Sequence, residues 1–149
     1  MPPSTCPVVV HKFGGAALAD AAAIANVGML LGADTTEQRR VVVTSALQGV
    51  TNQLLAAISR ATEGDQATAR SLADQLRTRH LEVALGVFGD DAISAEHDTL
   101  LASINAACDE LVAQLDAMHA DAQSGLLSDA ILAHGERLAA RLVCVMLER

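Results

Sequence analysis

The stretch that decides the fold is Val8-Val9-Val10-His11-Lys12-Phe13-Gly14-Gly15 (residues 8–15), an apolar run that leads directly into two glycines. A run of branched apolar residues is typical of a strand that is buried on both faces. Lys12 is the only lysine in the 149 residues, and its compact charge suits phosphate oxygens. Gly14 and Gly15 let a ligand approach backbone N–H groups closely. The pattern indicates a strand followed by a phosphate-binding loop, with an ordinary Gly-Gly turn beside an exposed lysine as the alternative.

A second apolar run, Val41-Val42-Val43, follows an alanine-rich stretch at 19–32 that carries apolar residues at helical spacing. A strand, a helix and a strand in this order predict a βαβ unit with a right-handed crossover and parallel strands. Parallel strands place their carboxyl ends at the same edge of the sheet, where open α/β sheets bind ligands. The loop at 12–15 and the loop at 44–52 should therefore meet at that edge.

The rest of the chain is predicted to be helical, because no strand pattern follows Asn52. Apolar spacing predicts helices at 53–62, 66–88 and 94–121, and a last helix that is capped near Ser128. The predicted fold class is α/β, with a parallel βαβ unit followed by a mostly helical half. A two-stranded parallel sheet exposes long edges, which proteins avoid, so we expect a larger protein or another subunit to complete it.

Composition excludes several function classes. Hydrophobic residues make up 51% of the chain and aromatic residues 1%, so the core must be built from alanine, leucine, valine and isoleucine. The net charge of -8 and the absence of Trp and Tyr argue against nucleic acid, which needs a basic surface and stacking rings. No apolar run reaches the length of a membrane span, and an anionic surface disfavours acidic membranes. We therefore predict a cytoplasmic protein without a membrane or nucleic-acid partner.

Three other residue patterns are interpreted as structural. His80 with Glu82 and His134 with Glu136 look like metal-ligand pairs, but no third ligand follows at a suitable spacing, so no metal site is predicted. The three cysteines lack C-x-x-C spacing, and Cys144 lies in an apolar run, which favours structural thiols. The arginines of 66–88 are predicted to form a solvated helix face.

Three motifs stand in a fixed order along the chain: Lys12-Phe13-Gly14-Gly15, then residues 41–52 with Val-Val-Val-Thr-Ser-Ala and Gly-Val-Thr-Asn, then Gly135-Glu136-Arg137-Leu138. In this order and spacing they resemble the aspartate kinases of the amino-acid kinase family. Those enzymes carry K-F-G-G-T-S, then V-V-x-S-A and G-V-T-[ND], then a helical insertion and G-E-[RK]-[LM]. The long helical stretch before the third motif is similar to the fused aspartate kinase–homoserine dehydrogenase type.

The resemblance implies a fold and an activity. Residues 1–149 would form the N-terminal, aspartate-binding part of an aspartate kinase catalytic domain, without the nucleotide lobe and the regulatory domains. The complete enzyme would use ATP and Mg²⁺ to phosphorylate the β-carboxylate of L-aspartate, as the first step of lysine, threonine and methionine biosynthesis. It is expected to be a homo-oligomer, and the part of it seen in this sequence should not turn over ATP by itself.

The resemblance also implies roles for individual residues. Lys12 would neutralise charge on the transferring phosphoryl group, beside the N–H groups of Gly14 and Gly15, while Ser45, Thr51 and Glu136 would hold aspartate. Phosphoryl transfer mainly needs positioning and positive groups around the equatorial oxygens, which fits these residue types. Without the resemblance, simpler interpretations stay open. Thr51 or Asn52 could only cap a helix, Ser45 could only end a strand, and Glu136 could pair with Arg137 on the surface.

The sequence departs from the family pattern at Ala16-Ala17, where the family has Thr-Ser. Loss of a hydrogen bond to a charged group costs about 1.5–3 kcal/mol, or roughly one to two decades in rate if the bond forms in the transition state. One alternative is therefore a non-catalytic relative that serves binding or assembly. Another is a kinase of the same fold with a different carboxylate acceptor.

Overall fold

The chain forms two parallel strands, five α-helices and one short 3₁₀ helix over the residues that the structure describes. The structure, a computed structural model, describes residues 8–33, 38–89, 95–120 and 125–148, without the side chains of residues 119 and 120. The two prolines within residues 1–6 predict a disordered leader, and the Asp pair at 90–91 predicts a loop, but both segments lie outside these ranges. In chain order the elements are β1 (Val8–Phe13), the 3₁₀ helix (Gly15–Leu18), α1 (Ala21–Gly32), β2 (Arg39–Thr44), α2 (Val50–Thr62), α3 (Gln66–Phe88), α4 (Ala95–Ala120) and α5 (Gly125–Leu147).

The strands β1 and β2 pair in parallel, with α1 as the crossover between them. Val10 is the partner of Val41 and Lys12 is the partner of Val43. The pairing extends one residue beyond β2, because the Ser45 N–H donates to the carbonyl oxygen of Phe13 at 3.0 Å. The predicted βαβ unit and the mostly helical remainder are both confirmed.

The prediction that both strands are buried on both faces is wrong for this chain. Val10 and Val41 are 62% and 47% exposed, and Val8 and Val43 on the same face are also exposed. Side chains alternate along a strand, so this face carries every second residue of β1 and β2. The other face is partly buried, since Val42 lines a groove with residues of α1 and α5. Apolar runs alone do not distinguish two covered faces from one.

The helical half packs through small and branched aliphatic side chains. Helix α3 contacts both α2 and α4, and α4 contacts α5. Alanines are buried along these contacts, and their small side chains let helix backbones approach one another closely. No helix in the described ranges is long and apolar enough to cross a membrane. The largest fully buried side chains include Leu54, Leu76, Ile104, Leu111, Leu115, Ile131, Leu138 and Leu142.

Two helices begin earlier than the sequence pattern predicts. Helix α2 begins at Val50 rather than at position 53, and α5 begins at Gly125 rather than near position 128. The N-cap of α2 is Gly49, whose φ of 84° turns the chain into the helix without a side-chain cap. Thr51 and Asn52 consequently lie in the first turn of α2, so the interpretation that either one caps this helix is wrong.

The two cysteines in the described ranges differ in burial, and Cys6 lies outside those ranges. Cys108 is buried in the core, as expected for a structural thiol. Cys144 is exposed, so the prediction that it packs as a small hydrophobe is wrong, and its Sγ lies 3.5 Å from a carboxylate oxygen of Glu148. The apolar run around Cys144 belongs to a helix, and a helix turns part of any apolar run toward solvent.

Two histidines are buried inside the helical half. The Nδ1 of His80 donates to the carbonyl oxygen of Leu76 at 2.7 Å, and the Nε2 of His134 lies 3.0 Å from Oε1 of Gln114. Burial lowers the pKa of His80, and the nearby Arg79 lowers it further. Burial is also the main cause that lowers the pKa of His134, against an opposing effect of Glu110. Burial therefore favours the neutral form of both imidazoles in the folded protein.

We predict that the free energy of unfolding falls as the pH drops below about 6.5, the usual histidine pKa in an unfolded chain. Below that pH the two histidines bind protons in the unfolded chain. In the folded protein they stay unprotonated until the pH falls to their lowered pKa values. Each histidine contributes a slope of at most about 1.4 kcal/mol per pH unit. Urea unfolding at several pH values between 7.5 and 5 measures this slope.

In the double variant His80→Leu and His134→Leu, the slope in this pH range should be clearly smaller than in the wild type. The comparison uses slopes, so a constant change in stability caused by the substitutions does not affect it. Equal slopes in the two proteins would show that the two imidazoles do not cause the acid sensitivity.

Candidate functional site

The loop after β1 presents an exposed lysine and an open glycine. The side chain of Lys12 is exposed, and Lys12 forms no ion pair with the described residues. Gly14 is extended, and a Cβ built on it would meet no atom within 4 Å. The backbone at Gly14 is therefore exposed, with open space on the side where a Cβ would lie. This arrangement suits the phosphate-binding role that the sequence suggested.

Gly15 brings the loop after β1 into contact with the loop after β2. A Cβ on Gly15 would lie 3.2 Å from the carbonyl oxygen of Ala46 and 3.4 Å from the Cα of Gln48. Any larger residue would push the two loops apart. The prediction that these loops meet at one edge of the sheet is confirmed.

The second loop leads into the N-terminus of α2. Ser45 is partly buried beside the end of β1, whereas Thr51 is exposed in the first turn of the helix. The Val50 N–H donates to the carbonyl oxygen of Leu47 at 3.0 Å, which closes the turn before the helix. The N-terminus of a helix carries a partial positive charge, and the Thr51 hydroxyl lies beside it. This end of α2 is therefore suited to an anionic group.

Helix α5 packs against the same loop through a buried glycine. A Cβ on Gly135 would lie 2.8 Å from the Cβ of Ala46 and 3.2 Å from a methyl group of Val50. The next residue, Glu136, is exposed. Arg137 lies 3.5 Å from a carboxylate oxygen of Glu110, so the interpretation that Glu136 pairs with Arg137 is wrong.

The three motifs therefore converge on residues 45–50, and Ala46 is the residue that both Gly15 and Gly135 approach. The side chain of Lys12 starts farther from residues 45–50 than Gly15 and Gly135 do, because it lies on the other face of the sheet from α5. Its side chain begins on the open face of the sheet, beside Val43, whereas α5 lies against the other face. The four-carbon stem of Lys12 stands one residue before the end of β1, close to the edge where the loops meet.

The residues that depart from the family pattern directly follow Gly14 and Gly15. Ala16 and Ala17 belong to the 3₁₀ helix, and the Ala17 N–H donates to the carbonyl oxygen of Gly14 at 2.9 Å. Both alanines line a shallow apolar groove with Phe13 and Leu30. Methyl groups therefore stand where the resembling enzymes have hydroxyls.

Arg79 is a residue of the site region that sequence reasoning missed. It was assigned to the solvated face of α3, but the structure partly buries it, and its Nη2 donates to the carbonyl oxygen of Ala19 at 3.2 Å. The two residues are 60 positions apart in the chain. No local sequence pattern predicts this contact, because Arg79 has the same kind of polar neighbours in sequence as the other arginines of α3.

The described residues hold no group of three or more His, Cys, Asp and Glu side chains that could bind a metal ion. His80 and His134, considered above as half of a metal-ligand pair, are both buried, whereas Glu82 and Glu136 are exposed. Each histidine therefore points into the core while the nearby carboxylate faces solvent.

The chain is similar in sequence to known proteins. Residues 7–149 match the sequence profile of the amino acid kinase family. The bifunctional aspartokinase/homoserine dehydrogenase 1 of Arabidopsis thaliana chloroplasts is 29% identical over 94% of this chain, and that of Zea mays is 26% identical over the same share. The chain spans only 15% of the length of each of these relatives. These findings bear out the resemblance seen in the three motifs.

Two solved structures share the fold. Aspartokinase III of E. coli in complex with aspartate and ADP (R-state) superposes with a TM-score of 0.77 at 24% identity. The same enzyme in complex with lysine and aspartate (T-state) gives a TM-score of 0.73 at 22% identity. Each match covers 95% of this chain and 29% of the other. At this level of identity the likeness concerns the fold.

We predict that Gly135→Ala destabilises the protein, because the added methyl group would lie 2.8 Å from the Cβ of Ala46. Overpacking of this kind typically costs about 1–3 kcal/mol. Gly125→Ala on the same helix is the matched control, since a Cβ there meets nothing within 4 Å. Thermal and urea unfolding of both variants measure the difference, and equal stability would contradict the close contact between α5 and the loop after β2.

Proposed function

The chain belongs to the amino acid kinase family, and from that premise we propose that it forms the aspartate-binding part of an aspartate kinase. The complete enzyme would transfer the γ-phosphoryl group of ATP to the β-carboxylate of L-aspartate and produce 4-phospho-L-aspartate. We further propose that residues 1–149 contribute the N-terminal part of the catalytic domain, and that the nucleotide lobe is formed by residues beyond them. The chain alone would then bind substrate without turning over ATP.

One observation carries this proposal: the loops after β1 and β2 and the helix that bears Glu136 all meet at residues 45–50. In this proposal the two loops would supply N–H groups and hydroxyls. Helix α5, whose Gly135 packs against the second loop, would supply the exposed carboxylate of Glu136. A substrate with an ammonium group and a carboxylate needs both kinds of partner. The relatives named aspartokinase support the choice of aspartate.

We assign the phosphate side of the site to the loop after β1. The ammonium of Lys12 would neutralise charge on the transferring phosphoryl group, and the N–H groups of Gly14 and Gly15 would bind its oxygens. The open space beside Gly14 is consistent with that role. A lysine on a flexible stem can follow the charge as it moves from the γ-phosphate toward the acceptor.

We assign the substrate side to the second and third motifs. The carboxylate of Glu136 would face the ammonium of aspartate, and the hydroxyls of Ser45 and Thr51 would donate to its carboxylates. An oxygen of the β-carboxylate would form a bond to the γ-phosphorus as the bond from that phosphorus to the β–γ bridging oxygen breaks. The carboxylate is already ionised near neutral pH, so no protein base is needed to activate it.

The described residues fit a phosphate group but offer no ligand cluster for Mg²⁺. Mg²⁺ is usually held through phosphate oxygens and one or two carboxylates, so it could enter with the nucleotide. ATP and Mg²⁺ therefore remain part of the proposal for the complete protein. The same is true of its place at the start of lysine, threonine and methionine biosynthesis, its homo-oligomeric state and its cytoplasmic location.

A second candidate is a relative of the same fold that binds its ligands without catalysis. The observation in its favour is the apolar groove formed by Ala16 and Ala17 next to the phosphate-binding loop. Such a protein would bind aspartate and nucleotide in a calorimeter without releasing ADP. A kinase with a different acceptor would instead respond to another carboxylate in an acceptor screen.

The Lys12→Ala variant tests the proposed function. In the complete gene product that contains this sequence, we expect it to lower aspartate-dependent ADP release by about a hundredfold or more, the usual cost of removing a charge-stabilising group. A coupled assay of ADP formation measures the rate. Lys12→Arg should restore only part of it, because a planar guanidinium does not replace a compact ammonium.

The control is Arg39→Ala. Arg39 is an exposed cation that is paired with Val8 at the opposite end of the same sheet, so its loss should leave the rate within about twofold, the range of ordinary surface changes. A wild-type rate in Lys12→Ala would refute the assignment of Lys12. A wild type without aspartate-dependent turnover would favour the non-catalytic candidate.

The Glu136→Gln variant tests the substrate side. Removal of the charge facing the substrate ammonium should raise the KM for aspartate by about one to two decades, while the KM for ATP stays nearly constant. Initial rates over a range of aspartate concentrations measure the effect. Glu63→Gln is the control, because Glu63 is exposed at the other end of α2. An unchanged KM for aspartate in Glu136→Gln would rule out the proposed role.

A further inference from the structure

The guanidinium of Arg79 lies close to the segments that follow β1 and β2. Its Nη2 donates to the carbonyl oxygen of Ala19, directly after the 3₁₀ helix that follows Gly15. Its Nη1 lies 3.8 Å from the position that a Cβ of Gly49 would occupy. Gly49 is the N-cap of α2 and closes the loop after β2. One side chain from α3 therefore forms a hydrogen bond with the segment after β1 and lies near the N-cap of α2.

A second contact holds this part of α3 in place. Gly86 lies two helical turns after Arg79 and on the same side of the helix. A Cβ on Gly86 would lie 2.6 Å from the Cβ of Ala21, at the start of α1. The backbone of α3 consequently lies very close to the beginning of α1, and Arg79 is held at a defined distance from Ala19.

Arg79 differs from the other arginines of α3 in its partners. Arg70 forms two hydrogen bonds of 2.9 Å with the carboxylate of Asp116, and Arg77 lies 2.7 Å from a carboxylate oxygen of Asp109. Arg79 forms no ion pair with the described residues, and its guanidinium donates to a backbone carbonyl. A guanidinium presents five donors in a rigid plane, so Arg79 can contact more than one loop at once.

We propose that Arg79 is a positioning residue that fixes the loop after β1 relative to the N-terminus of α2. Its hydrogen bond to Ala19 would hold the segment after Gly15 beside the first turn of α2, so that both face one ligand. Helix α3 thereby supports the site, although its sequence carries none of the three motifs. The catalytic consequence rests on the proposed function, whereas the coupling of the two loops does not.

The first test uses kinetics of the complete gene product with Arg79→Met. Misplacement of reacting groups by about 1 Å can cost a hundredfold in rate, so we expect kcat to fall about tenfold or more. Both KM values should change much less than kcat, because each half of the site stays intact. Arg79→Lys should recover part of kcat, as should guanidinium ion added to the Arg79→Met protein.

The matched control is Arg70→Met, which removes an arginine from the same helix and breaks its pair with Asp116. It should leave kcat within about twofold, the range of ordinary surface changes. Circular dichroism and thermal melting confirm that both variants fold, and Arg79→Gln replaces Arg79→Met if the latter does not. A kcat for the Arg79 variant equal to that of Arg70→Met would overturn the proposal.

The second test does not depend on activity. Hydrogen exchange measured by mass spectrometry should show faster exchange in both segments, 15–20 and 46–52, of the Arg79 variant and in neither segment of Arg70→Met. Unchanged exchange, or a change in only one segment, would overturn the coupling. A wild type without aspartate-dependent turnover would refute the proposed function, and the exchange experiment would still decide the role of Arg79.

Discussion

The close approach of three backbone segments at Ala46 is the contact on which the rest of the structure depends. Gly15 approaches it from the loop after β1, and Gly135 approaches it from α5. Neither approach leaves room for a side chain, because even a methyl group would come within 3.2 Å or less of its neighbour. The loop after β2 is therefore held between a strand end and a helix, and this arrangement collects three distant motifs at one edge of the sheet.

Small residues also lie at the close contacts between helices. Gly28 of α1 lies directly against the thioether of Met146, and Gly86 of α3 lies against Ala21. A core with almost no aromatic residues cannot bridge wide gaps between helices, so the helix axes must come close. Glycines and alanines at the crossing points permit this. The helices can then act as rigid supports for loops that carry little secondary structure of their own.

The charges of Lys12 and Glu136 fit the proposed reaction, which depends on position and electrostatics. Lys12 and Glu136 are exposed and unpaired among the described residues, whereas Arg70, Arg77 and Arg137 are each engaged with a carboxylate. Charges without a partner in the protein can bind charges on a substrate. Phosphoryl transfer to a carboxylate brings two anions together, so it depends on cations and N–H groups that are already in place. Arg79 adds a cation that holds loops rather than substrate.

The sequence by itself determined the βαβ unit, the helical second half and the order of the three motifs, because period, apolar runs and glycine positions are local signals. Only the tertiary structure decided which sheet face is exposed, where α2 begins and what Arg79 contacts. Val10 and Val42 look alike in sequence, and their burial differs because α1 and α5 lie against one face. Arg79 and Ala19 meet across 60 positions. Such contacts arise when distant segments pack together, so the residues next to Arg79 in the sequence give no sign of them.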